Sequence, residues 1–162
     1  MGVKADLLLG LLIVIGLTRT SAAEPITFKM RGVIVATTSH VAAVPGASDG
    51  QQAYLNVYDG AVVPDGDASF LANARYQIVE LIDTGGLING GYKTFTTSDG
   101  TISGRYQVTE ENHPNYGGSF TFTGGTGKYA AITGSGRFSA LAVSDTALID
   151  TLEGTYEIPP AK

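Results

Sequence analysis

Apolar side chains return at every second residue through much of the chain, and that spacing constrains the fold more than any other feature. Ile26, Phe28, Met30, Gly32, Ile34 and Ala36 share a face against Thr27, Lys29 and Arg31. Ile102, Gly104, Tyr106 and Val108 oppose Thr101, Ser103, Arg105 and Gln107 in the same way. So do Phe120 and Phe122, then Ile132, Gly134, Gly136, Phe138 and Ala140, and last Leu152, Gly154, Tyr156 and Ile158. A period of two marks a strand with one buried and one wet face, because successive side chains leave the pleat on opposite sides. Further strands are predicted near 51–59, 75–83 and 90–97. No segment beyond residue 23 carries a helical repeat, apart from a single turn at 67–74. All six prolines fall between the periodic runs or at the ends, where strands tolerate them.

Glycine decides how these strands are joined and curved. The chain has 22 glycines in 162 residues, about twice the usual share of roughly 7%. Asp83-Thr84-Gly85-Gly86, Asp99-Gly100 and Gly124-Gly125-Thr126-Gly127 each separate two runs, as hairpin turns do, since glycine adopts positive φ without penalty. Gly104, Gly118, Gly136 and Gly154 lie inside strands, each two residues before an aromatic (Tyr106, Phe120, Phe138 and Tyr156) on the same face. Such glycines let a sheet bend while the neighbouring ring refills the core. The expected fold is all-β, a single eight-stranded antiparallel up-and-down barrel, with a two-layer sandwich as the alternative.

The first 23 residues read differently. A basic start at Lys4 precedes an apolar run from Leu7 to Leu17 and the small residues Ser21-Ala22-Ala23. Eleven apolar residues are too few to span a bilayer, which needs roughly 20. The pattern is that of a signal peptide cleaved before Glu24, leaving a barrel domain over 24–162 in the periplasm or secreted, with no membrane span. The net charge of −5 argues against a nucleic-acid partner. Cysteine is absent, which excludes disulfides, thiolate metal sites and a thiol nucleophile.

The stretch from Ser119 through Phe120-Thr121-Phe122-Thr123-Gly124-Gly125-Thr126-Gly127-Lys128-Tyr129 to Gly136-Arg137-Phe138 resembles the signature hairpin of allene oxide cyclase-like and dirigent-like barrels, many of them exported bacterial proteins. The preceding Asp99-Gly100-Thr101-Ile102-Ser103-Gly104-Arg105-Tyr106 is similar to the strand those proteins place before it. The resemblance covers about residues 75–158. It implies a calycin-type barrel, assembly as a trimer, and work without metal or organic cofactor on an apolar molecule held inside.

The candidate chemistry is sparse. Gly124 to Tyr129 lacks the upstream glycine and the Ser or Thr of a phosphate loop, and no Gly-x-Ser-x-Gly occurs. Asp59, Asp65 and Asp67 offer oxygen ligands without calcium-loop spacing, and His40 and His113 are the only histidines, so no metal is assigned. Glu80 alternates with Tyr76, Ile78 and Ile82; placed inward it is the one candidate acid or base. The other parity puts Val79 and Leu81 inward and Glu80 outside, and both faces are mixed. Tyr54, Tyr58, Tyr76, Tyr92, Tyr106 and Tyr156 offer hydroxyls to line a pocket, and of these Tyr76, Tyr92, Tyr106 and Tyr156 join Glu80 as candidate ligand-binding residues. Three functions follow: a barrel binding a small apolar or aromatic molecule, a structural or interaction barrel with a filled core acting through segments 41–50 and 60–74, or a cofactor-free cyclase or isomerase.

Overall fold

A computed structural model describes residues 24–47, 50–64, 70–86 and 89–159. The expected signal segment, Asp65 and Asp67 lie outside the described residues. Eight strands run in chain order: β1 (Ile26–Ala43), β2 (Gln52–Val63), β3 (Arg75–Asp83), β4 (Asn89–Thr97), β5 (Gly100–Asn112), β6 (Asn115–Gly125), β7 (Thr133–Ser144) and β8 (Ala147–Glu157). Each pairs antiparallel with the next, and β8 closes on β1 from Ile26↔Tyr156 to Val35↔Ala147, so the sheet is a closed barrel. Closure leaves no unpaired edge, which is why a sheet of this length needs no covering layer. The sandwich alternative is thereby excluded. Residues 70–73 form a turn rather than a helical one, and Leu71 and Asn73 take positive φ there. Among the described residues no helix is long and apolar enough to cross a membrane.

The alternation seen in the sequence becomes inside and outside. Phe28, Met30, Ile34, Ile102, Phe120, Phe122, Phe138 and Leu152 are buried, while the residues between them face water. Gly136 and Gly154 pair across β7 and β8. A Cβ on Gly136 would fall 2.0 Å from the Glu153 carbonyl oxygen, and one on Gly154 would fall 2.3 Å from that of Ser135. The sheet bends sharply here because neither residue has a side chain to hold the backbones apart.

The interior divides into two halves. At the end holding the β2–β3 and β6–β7 connections, aromatics fill it. Phe70 stacks on Tyr156 with centroids 4.0 Å apart and tilts against Phe28 at 4.8 Å. Phe120 and Phe122 complete this plug, with Tyr129 and Ile132 from the β6–β7 connection buried beside it. Toward the middle, Tyr76 stacks on Phe95 at 4.5 Å. Beyond that layer the barrel is hollow.

Candidate functional site

The hollow half is a cavity of about 350 Å³. Its lining comes from the middle and later parts of β1, β3, β5 and β7, the earlier and middle parts of β2, β4, β6 and β8, and the β5–β6 and β7–β8 turns. In an up-and-down barrel those parts reach from the middle to one end. A barrel of eight strands is just wide enough to hold one small ligand, and this volume falls at the lower end of the range for ligand sites, roughly 300–1,000 Å³. A core filled throughout is therefore not what this barrel has.

Glu80 points into the cavity. On β3 the buried Tyr76 and Ile78 fix the inward parity, and Glu80 and Ile82 follow in step. Oε2 of Glu80 accepts from Asn56 Nδ2 and from the Tyr58 hydroxyl, each at 3.1 Å, and Oε1 accepts from the Tyr106 hydroxyl at 3.3 Å. Register accounts for the Asn56 contact, because Asn56 stands directly across from Glu80 in the β2–β3 ladder. Burial, and next to it the charge of Glu80, push the Tyr58 and Tyr106 phenols above the ordinary tyrosine range. Both therefore stay protonated and serve as donors at neutral pH.

Below this group lies a second, drier cluster. Lys93 and Asp150 are 2% and 1% exposed and form an ion pair. Lys93 Nζ also donates to the Tyr76 hydroxyl at 2.8 Å, and that hydroxyl donates to Asp150 Oδ2. The ammonium lies 4.7 Å from the Tyr106 ring centroid and 4.4 Å from that of Phe138, where the faces of the rings attract a cation. Burial pulls the lysine below its usual range, and Asp150 opposes that pull. Tyr76 is held well above the tyrosine range, first by burial and then by Asp150. Asp150 Oδ1 is buried and has no hydrogen-bond partner.

Of the residues singled out in the sequence, Glu80 and Tyr106 line the cavity, and Tyr76 stands behind its wall in the Lys93–Asp150 cluster. Tyr92 does not: it is 53% exposed on the outer face, because Lys93 and Phe95 take the inward parity of β4. Tyr156 belongs to the aromatic plug at the opposite end. Sequence reasoning missed Lys93 and Asp150, although each keeps step with a buried neighbour, Phe95 and Leu152. Tyr58, one of the tyrosines expected to line a pocket, does so, whereas Tyr54 is not among the lining residues; Tyr116 and the mouth position of His113 were missed. Asp59 pairs with Arg75, which holds its carboxyl below the usual range. Among the described residues no three His, Asp or Glu side chains converge to hold a metal ion.

No family model matches the chain, and no curated protein matches its sequence. Among solved structures the chain is similar to a pterocarpan synthase dirigent protein at 13% identity, over 88% of this chain and 91% of that one, with a TM-score of 0.40. The barrel assignment rests on the strand pairing of this chain itself.

Proposed function

We propose that the protein is a binding barrel, similar in kind to the allene oxide cyclase- and dirigent-like barrels, that holds one small and largely apolar or aromatic molecule. The half-empty interior carries this reading: a cavity of about 350 Å³ walled by Ile34, Ile78, Ile82 and Leu148, with Glu80 and its tyrosine donors as the polar anchor. A few placed polar groups in an apolar cavity are the ordinary composition of a ligand site. The test uses N-phenylnaphthylamine, an uncharged probe whose fluorescence rises in apolar surroundings. It should bind the purified protein at one site, and Ala140→Trp, which puts an indole into the cavity, should abolish that binding without lowering thermal stability. Equal fluorescence with the variant would remove the cavity from the account.

One observation favours a second reading, a cofactor-free isomerase. Glu80 is a carboxylate fixed by three donors inside the void, positioned as a general base would be. Incubating any co-purifying molecule with the protein in heavy water should then put deuterium on it, and Glu80→Gln should stop the uptake.

Two further expectations belong to the same proposal. Export is supported by the order of residues 1–23, and N-terminal sequencing of secreted protein should begin at Glu24. Self-association is supported by an apolar row across the outer face, where Leu141, Ile149, Val33 and Ala61 pair in sequence over β7, β8, β1 and β2. Sedimentation velocity should show an oligomer, and Val33→Lys with Leu141→Lys should return it to a monomer.

A further inference from the structure

We infer that the cavity takes a small organic cation, a protonated amine with a hydrocarbon or aromatic body, and turns away carboxylates. This rests on the cavity-ligand reading above and adds the charge of the ligand to it. Glu80, Glu111, Asp145 and Asp150 line the void, against a single lysine, Lys93. Lys93 is engaged within the wall, by Asp150, by the Tyr76 hydroxyl and by the faces of the Tyr106 and Phe138 rings. Among the described residues no arginine or second lysine lines the cavity, and His113 is the other lining group able to carry positive charge. The partners that hold Glu80 in place are neutral, namely Asn56, Tyr58 and Tyr106. Asn89 likewise donates to Glu111 at 3.1 Å.

An anion entering this space would meet the half-buried Glu80 carboxylate, whose hydrogen-bond partners are all neutral, after passing the exposed carboxylates of Glu111 and Asp145 at the rim. A cation would supply the missing opposite charge.

Asp150 adds a further carboxylate to the wall. It is almost wholly buried, it lines the cavity, and it is paired there with Lys93. An ammonium carries up to three N–H donors and no acceptor, which suits a cavity whose polar wall offers carboxylate oxygens. The apolar walls (Ile78, Ile82, Val108 and Leu148) would receive the body of the molecule.

Three probes of similar shape and different charge test this: phenethylamine, phenethyl alcohol and hydrocinnamate, each titrated against the purified protein carrying N-phenylnaphthylamine. The amine should displace the fluorophore about tenfold more tightly than the alcohol, a difference in the range of one charge-assisted hydrogen bond. Hydrocinnamate should be the weakest. Glu80→Gln should remove the advantage of the amine over the alcohol. Glu111→Gln, at an exposed rim position, should reduce the advantage by about threefold, as a rim charge does when partly screened. If the alcohol or the acid matches the amine, the inference is overturned while the cavity reading stands. The same holds if the fluorophore binds and none of the three displaces it. If the fluorophore itself does not bind, the cavity reading fails first.

Discussion

Lys93 and Asp150 hold opposite charges almost entirely out of water, so neither has a tolerable state without the other. Removing one partner of a buried pair costs about 3–5 kcal/mol, because the survivor keeps its desolvation penalty and loses its compensation. Lys93→Met should therefore lower stability by about that much in urea denaturation. The double variant Lys93→Met with Asp150→Leu should recover most of the loss; a double variant no more stable than the single would show that the two do not act as a unit. The buried tyrosines give a second prediction. Tyr76 and Tyr106 hold their protons in the folded barrel beyond the ordinary range, whereas in the unfolded chain a tyrosine ionises at about pH 10. Below that pH both states are protonated and the full stability is present. Above it the unfolded chain releases protons that the barrel retains, so stability falls by about 1.4 kcal/mol per pH unit for each such tyrosine. Urea midpoints measured from about pH 9 to about pH 11 should fall, and Tyr76→Phe or Tyr106→Phe should flatten the fall. Little of this cluster was legible in the sequence. A lysine or aspartate among threonines reads as a solvated face by default, and only its step of two from Phe95 or Leu152 says otherwise. Glu80 was ambiguous for the opposite reason: its neighbours on both faces of β3 are apolar, and tertiary pairing alone chose the side.

Between elements, the contact of β1 with β3 across the interior depends on one missing side chain. The Tyr76 ring lies over Gly32, where a Cβ would come within 2.5 Å of its Cδ1. Gly32 is also the register partner of Asp150, so the glycine makes room for the ring whose hydroxyl donates to that carboxylate. Gly32→Ala should push Tyr76 off its seat and cost about 1–3 kcal/mol, the usual range for overpacking a core. Thermal melts should show the loss, and Tyr76→Phe should cost less in the Gly32→Ala background than in the parent, since the hydrogen bond to Asp150 is already disturbed. Wild-type stability in Gly32→Ala would mean the ring relocates freely. The strands themselves were legible because a half-buried strand writes its two faces directly into alternate residues, and the turns because Asp-Gly and Gly-Gly pairs supply positive φ. Strand ends were less so. The ladder between β1 and β2 continues to Ala43↔Gln52, through Ser39, His40 and Val41, where alternation fades because both faces of this extension are exposed.

Across the whole molecule the asymmetry of the interior should govern its motions. One end is plugged by Phe28, Phe70, Phe120, Phe122 and Tyr156 in mutual contact. The other surrounds a void, and its hairpin tips near Glu110–Asn115 and Val143–Thr146 are exposed. Local opening is easiest where few apolar contacts are lost. Backbone hydrogen exchange should therefore be slowest for amides of β6 and β8 beside the plug, such as Phe122 and Gly154, and should quicken along the same strands toward the open end. Ladder hydrogen bonding alone, which is continuous from end to end of β5, β6, β7 and β8 apart from local bulges, would predict uniform protection instead, so the gradient separates packing from pairing as the source of rigidity. Occupying the cavity should slow exchange at the open end and leave the plugged end unchanged, because a bound molecule supplies contacts only where the barrel lacks them. A ligand that slowed both ends equally would be stabilising the fold globally from some other place.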